Sequence, residues 1–317
     1  MPIGLLTGVG SGLASALLFY SATRGSPLLS SFLLLLTPLP ALIAGLGWGW
    51  LPALIGGFAA AAAMLAIASL PFAVGYFLAL GGPSALSAYL AYLNRTDADG
   101  AIQWYPPGRL LAHLSLYGGA LPIMVLPLLG GSYELLREPM GEYFRRFSAR
   151  TATDLNMPPL SDAQIEALTE FLIAVLPAAL SAYWLILFTL NLYLAARIAR
   201  ASDRLGRDWP DLAGLAYPAG FPLIAVVAFA ASFAPGVLGV VGTSFSGALL
   251  VAYLIAGLAL MHFIARGRAP WLLWLVYGAL FLLGPYAALA LTVAGLLEPI
   301  VNLRRRLGTP PPSSNRT

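Results

Sequence analysis

Arg109, His113 and Tyr117 recur at i, i+4 and i+8, so a helix through them lines a guanidinium, an imidazole and a phenol along one face just inside an apolar stretch. Polar groups at that depth face a cavity or a protein neighbour, and this trio could contact a substrate or an ion. The plainer reading is that Arg109 snorkels from the interface and His113 is a satisfied core residue. Asn191 shares approximately one face of a later apolar stretch with Ser181 and Trp184. That face suits a polar ligand and equally suits hydrogen bonding between helices. Trp104 and Tyr105, next to the first group, read equally well as belt aromatics.

Other chemistry is restricted by what the chain contains. Cysteine is absent, which removes thiolate nucleophiles, disulfides and iron–sulfur ligation. Two histidines on different apolar stretches do not supply a transition-metal site, and no cofactor is implied. Gly242-Thr243-Ser244-Phe245-Ser246-Gly247 lacks the Gly-x-Ser-Gly of a rhomboid-type serine protease, and His262 lies on the same stretch rather than on another one. Paired intramembrane aspartates and a phosphate-cradling glycine loop followed by lysine are also missing. Glu298 is the only carboxylate after Asp211 and sits just before Arg304, Arg305 and Arg306, where a local ion pair explains it. The arginines are spread over several loops rather than gathered in a stripe, so nucleic acid is not a partner.

The elements that must position these residues are membrane-spanning helices. Of 317 residues, 59% are hydrophobic and 9% are charged, against about 25% charged in soluble domains, and mean hydropathy is +0.83. A bilayer solvates apolar faces directly, so an all-α polytopic bundle with the lipid bilayer as its first partner follows. Nine windows of roughly 20 apolar residues emerge: 3–22, 28–46, 51–70, 72–93, 110–129, a long one ending near Arg200, 217–233, 237–265 and 271–297. About eight or nine crossings are expected. The first window has no basic residue ahead of it and reads as a retained span rather than a signal peptide. Pro106 and Pro107 start the fifth helix, and Ser161 with Gln164 forms a capping box ahead of the sixth.

The chain divides into N-terminal spans over 1–130, a polar insert over 131–166, C-terminal spans over 167–303 and a disordered tail over 304–317. Within the insert, residues 133–147 mix Leu135, Met140, Tyr143, Phe144 and Phe147 with charge, predicting an amphipathic helix at the membrane surface. Positive-inside counting leaves a conflict. Arg197 to Arg207 share a side with Arg266 and Arg268 if the seventh and eighth windows both cross, yet Arg304 to Arg306 then fall opposite. A break at Gly284-Pro285 that turns the last window into a helical hairpin removes the conflict and leaves a cytoplasmic C-terminus. All 17 basic residues are arginine, which points to a high-GC genome and so to a bacterial cytoplasmic (inner) membrane.

Gly4, Gly8, Gly12 and Ala16 stand at four-residue spacing, so another helix can approach that face closely, either within this chain or on a partner subunit. This stripe belongs to Gly8-Val9-Gly10-Ser11-Gly12-Leu13-Ala14-Ser15-Ala16. Pro38-Leu39-Pro40, Trp104-Tyr105-Pro106-Pro107-Gly108-Arg109 and the Arg304-Arg305-Arg306 end extend the pattern. Together they resemble the YybS-like family of predicted bacterial membrane proteins, a domain of unknown function. That family is similar to the substrate-binding subunits of energy-coupling-factor transporters and to the rod-shape protein MreD. The resemblance implies a small-residue face on the first helix that docks a transmembrane partner, although those subunits have six spans and no long aqueous insert. The expected function is a non-catalytic small-solute-binding or transport-related subunit with a cavity near Arg109, His113, Tyr117, Trp184 and Asn191. The alternative is an MreD-like scaffold recruiting partners through the stripe and the insert, and an intramembrane enzyme comes third.

Overall fold

Proline and glycine decide where the helices stop. The computed structural model describes residues 2–266 and 269–308. Helix α1 (Pro2–Ala22) is followed by α2 (Pro27–Leu36) and α3 (Leu39–Trp48), which form one crossing broken where Pro38 and Pro40 cannot donate backbone hydrogen bonds. Gly49, at φ 102°, is the single residue that reverses the chain into α4 (Trp50–Ile67), a conformation open to glycine. The fourth crossing is α5 (Leu70–Tyr76), a π turn at Phe77–Gly81 and α6 (Gly82–Tyr92). A two-stranded antiparallel hairpin, β1 (Asn94–Thr96) with β2 (Ile102–Trp104), leads to α7 (Pro107–Val125), with Pro107 at its first turn.

The insert forms a 3-10 turn and then α8 (Arg137–Leu155), longer than the 133–147 stretch expected, ending at Asn156 in the left-handed region. Ser161 and Gln164 make the capping box that opens α9 (Asp162–Ala201). Its 40 residues extend about 60 Å against a hydrocarbon thickness of about 30 Å, so the helix projects from the bilayer. Its early turns pack on α8 where Arg137 donates to Glu170 at 3.0 Å, and just ahead of it the Leu160 amide donates to Ser148 at 2.7 Å. Next come α10 (Phe221–Ala231), α11 (Gly236–Ala265), α12 (Trp271–Leu283), α13 (Pro285–Val301) and α14 (Leu303–Leu307).

Among the described residues seven helical segments are long and apolar enough to cross a membrane, so the polytopic all-α bundle stands, and three shorter apolar helices, α10, α12 and α13, occupy the other two windows. The window at 217–233 contains only the 11-residue α10, because Pro218 and Pro222 confine regular structure to its later part. The window at 271–297 splits at Gly284, φ 49°, into helices of 13 and 17 residues, each shorter than a full crossing needs. Residues 304–307 of the expected disordered tail are helical instead, while 309–317 lie outside the described residues, as does Arg268.

Close approach of backbones holds the bundle. A side chain on Gly12 would strike the Gly56 carbonyl, and one on Gly8 would lie 2.7 Å from the Pro52 oxygen, so α1 and α4 meet backbone to backbone. Helix α11 is the central one, 61% of its most apolar window buried against 22% for α1. Its Gly247 sits on Ala178 of α9 and its Gly257 on Leu291 of α13. Thr292 donates to the Leu250 carbonyl at 3.3 Å, and the Arg304 guanidinium lies 5.8 Å from the Phe263 ring, so α13 runs parallel to α11. The α12–α13 segment is therefore a hairpin that returns to its starting side.

That return settles the charge conflict. Arg95, Arg109, Arg197, Arg200, Arg204, Arg207, Arg266 and Arg304 to Arg306 lie at one end, with Arg24, Arg137, Arg145, Arg146 and Arg150 at the other. Because the chain has no cysteine, single introduced thiols report sidedness directly. Arg305→Cys is expected to label from the same membrane face as Asp99→Cys and from the opposite face to Glu142→Cys; labelling of Arg305→Cys together with Glu142→Cys would refute the hairpin. In thermal unfolding, Gly12→Leu is expected to destabilise by at least about 2 kcal/mol. Gly10→Ala, with nothing within 4 Å of an added methyl, is expected to stabilise by up to about 1 kcal/mol.

Candidate functional site

The residues singled out in sequence do not share one cavity. Arg109 and His113 lie exposed on the outer face of α7. The His113 Nδ1 is 2.7 Å from the Arg109 carbonyl oxygen and 3.3 Å from the Tyr105 hydroxyl. Eight residues advance a helix by about 12 Å and turn it by about 80° from its starting face, which carries Tyr117 inward. There Tyr117 donates to the Leu78 carbonyl at 2.7 Å and lies 5.5 Å from the Trp184 ring. Trp184 in turn donates its Nε1–H to the Ala79 carbonyl at 2.6 Å. Both acceptors belong to the π turn, whose widened hydrogen-bond pattern displaces carbonyls from the helix axis.

Asn191 serves the other break. Its Nδ2 donates to the Leu35 carbonyl at 2.6 Å and to the Leu187 carbonyl at 2.7 Å, tying α9 to the end of α2. Ser181 donates to the Ser244 carbonyl and Ser244 to the Gly119 carbonyl, both at 2.6 Å, so α9, α11 and α7 are linked in series. Gly4, Gly8 and Gly12 face Pro52, Ile55 and Gly56 of α4, and Ala16 is buried at 4% exposure. The stripe's packing surface is therefore filled from within this chain.

One cleft of about 500 Å³ lies beside the insert, lined mainly by apolar side chains with Tyr133 and Glu134, and the clefts that carry arginines lie at the other end. The first of these, of about 360 Å³, between the β1–β2 hairpin and the start of α7, is lined by Arg95, Gln103, Trp104, Tyr105 and Arg109. A second, of about 510 Å³, lies across Trp104 and is lined by Arg200, Asp203, Arg207, Asp208 and Trp209. Trp104 lines both, and Arg207 of the second cleft packs on it. The Arg207 guanidinium stands 5.2 Å over the Trp104 ring and donates to the Ala91 carbonyl at 2.5 Å. Burial pushes its pKa down, but an arginine starts so far above neutrality that it stays charged.

The cations differ in what they already hold. Arg95 is engaged by Gln103 at 2.5 and 2.9 Å and by Asp97 at 3.5 Å. The guanidinium groups of Arg109 and Arg200 have no hydrogen bond or ion pair among the described residues. Arg95, Gln103, Arg200, Arg207 and Trp209 are lining residues that the sequence reading gives no site role, and Trp104 reads there as a belt aromatic. Arg200 and Arg207 enter only the sidedness count, and nothing in the spacing brings the hairpin to the loop after α9.

A family model described as predicted membrane protein (DUF2232) matches residues 13–298. The chain belongs to that family. The match includes the hairpin, the loop after α9 and every residue lining the two clefts. No curated protein and no solved structure matches the chain.

The loop beside the clefts is latched to the last helices. Asp211 accepts from both terminal nitrogens of Arg266, one at 2.7 Å, and Arg304 donates to the Leu215 carbonyl at 2.6 Å. The hydrogen bonds from Arg266 hold the Asp211 carboxyl below the ordinary aspartate range, against the upward push of burial. A carboxyl held low contributes stability above its ordinary range and loses it as pH falls through the folded value. Thermal stability is accordingly expected to be insensitive to this pair near neutrality and to fall under strongly acidic conditions. Asp211→Asn is expected to remove that acid-dependent increment; an unchanged acid limb in the variant would show that the latch contributes nothing.

Proposed function

We propose that this chain is a non-catalytic membrane protein that binds a small anionic solute in the paired clefts, with the arginine-rich end toward the cytoplasm. The observation that carries the reading is Arg109, a cation without an ionic partner on the wall of a 360 Å³ cleft, with Arg200 and Arg207 across Trp104. A free guanidinium offers a planar fork of donors that matches a carboxylate or phosphate. Cleft volumes of this size are typical of small-molecule sites. The walls supply Arg, Trp, Tyr, Gln and Asn with two aspartates, a set suited to holding an anion, and no Ser, Thr, Cys or His stands among them as a nucleophile. The orientation follows from the larger share of arginines at that end.

A resemblance to the substrate-binding subunits of energy-coupling-factor transporters fits solute binding. It does not extend to the docking face, because the α1 stripe is occupied by α4, so a coupling subunit would have to meet another surface. The test is calorimetric titration with methyl phosphate of the protein held in phosphatidylcholine nanodiscs. Binding is expected, with Arg109→Gln weakening it about tenfold or more, the worth of one charge-assisted hydrogen bond. Arg24→Gln, at the opposite end, is expected to leave it unchanged. Absence of binding to the unmodified protein, alongside recovery of a reproducible protein partner, would favour the scaffold reading instead.

A further inference from the structure

Behind the two clefts lies a third cavity of about 60 Å³, and its composition is different. It shares Tyr105 with the first cleft and Arg207 and Trp209 with the second, and is otherwise walled mainly by apolar side chains, among them Leu110, Leu192 and Ile255. Tyr193 and Leu212, 40% and 38% exposed, stand at its rim, so the slot opens sideways between α7, α9 and the loop after α9. Two of its lining residues carry buried polar atoms with no partner among the described residues, the Nε1–H of Trp209 and the hydroxyl of Thr189. Buried donors are ordinarily satisfied, and each exception calls for an acceptor. In a narrow apolar slot the fitting acceptor is one carried in by an apolar molecule.

Resting on the reading of the clefts as an anion site, we propose that the ligand is an anionic acyl lipid that enters laterally. Its phosphate sits with Arg109, Arg200 and Arg207, its ester carbonyl meets the donors of Trp209 and Thr189, and its chain leaves through the slot past Tyr193 and Leu212. The order of the surfaces supports this: cations at the water boundary, two donors one layer in, then apolar walls. That order reproduces head, ester and chain of a glycerophospholipid. A soluble anion uses the first layer only. The slot admits the start of one chain, and the exposed rim continues it into the surrounding lipid.

Native mass spectrometry of the protein released from nanodiscs of equimolar phosphatidylcholine and phosphatidylglycerol distinguishes the two sources of phosphate, with methyl phosphate titration run in parallel. The expected result is several-fold retention of phosphatidylglycerol over phosphatidylcholine. Thr189→Phe, which puts a ring into the slot, is expected to reduce that retention about tenfold while leaving methyl phosphate affinity within about twofold. Thr189→Val keeps the shape and removes only the donor, so it reports even if the larger side chain disturbs folding, and a several-fold loss of retention is expected. Methyl phosphate binding without selective lipid retention, or retention indifferent to Thr189→Val, would overturn the lipid assignment and leave the anion site standing. Failure of both ligands to bind would overturn the anion site itself.

Discussion

In hydrocarbon a backbone carbonyl without a partner has no water to turn to, and each one left open costs several kcal/mol. Every break in a spanning helix of this protein creates such carbonyls, and the few polar side chains of the interior are placed where the breaks are. Pro38 and Pro40 interrupt the second crossing; there Asn191 reaches the Leu35 carbonyl, and Ser15, itself accepting from Tyr76, reaches the Thr37 carbonyl. The π turn displaces carbonyls of the fourth crossing, and Tyr117 and Trp184 meet two of them. Polar residues at membrane depth are normally suspected of handling substrate. Here Asn191, Ser15, Tyr117 and Trp184 are spent on keeping broken helices dry.

Glycine supplies the other half of the construction. A bilayer gives no hydrophobic drive for one apolar helix to leave lipid for another, so association rests on close packing. Gly12 on Gly56, Gly57 on Gly81, Gly247 on Ala178 and Gly257 on Leu291 bring backbones together without side chains between them. The contact of Gly257 with Leu291 also sets the course of α13, and through it the side on which Arg304 emerges beside Leu215 and Phe263. Packing of a glycine in mid-membrane thus determines where a charged segment sits at the surface.

How far all this can be read from sequence depends on the range of the interaction. The Ser161–Gln164 capping box, the proline start of α7 and seven of the nine apolar windows are local, and the structure carries each of them. The break at Gly284-Pro285 is local too, but its consequence, a chain that turns back, needs the partner surface on α11. Three-residue strands such as Asn94–Thr96 and Ile102–Trp104 are too short to show an alternating pattern. The i, i+4, i+8 alignment of Arg109, His113 and Tyr117 misleads because a straight helix drifts off a four-residue repeat, so the third member no longer shares the first one's environment. The stacking of Arg207 on Trp104 joins segments far apart in sequence and leaves no trace in either.

Arg207 and Arg109, on the two clefts that share Trp104, occupy opposite electrostatic settings. Arg207 donates to the carbonyl of Ala91 in the last turn of α6, where the helix dipole presents its negative end and a cation is welcome. Arg109 lies in the first turn of α7, where the dipole presents its positive end and a lone cation is disfavoured by about 0.3–1 kcal/mol at an exposed position. Arg207 is therefore content as it stands and holds the hairpin against the loop. Arg109 is not. An anion arriving between them neutralises an unfavourable charge at Arg109, gains the attraction of the helix terminus behind it, and leaves the contacts of Arg207 in place. Arg109 is thus a cation that its own helix end disfavours, which is why a negatively charged ligand at that place would gain from both.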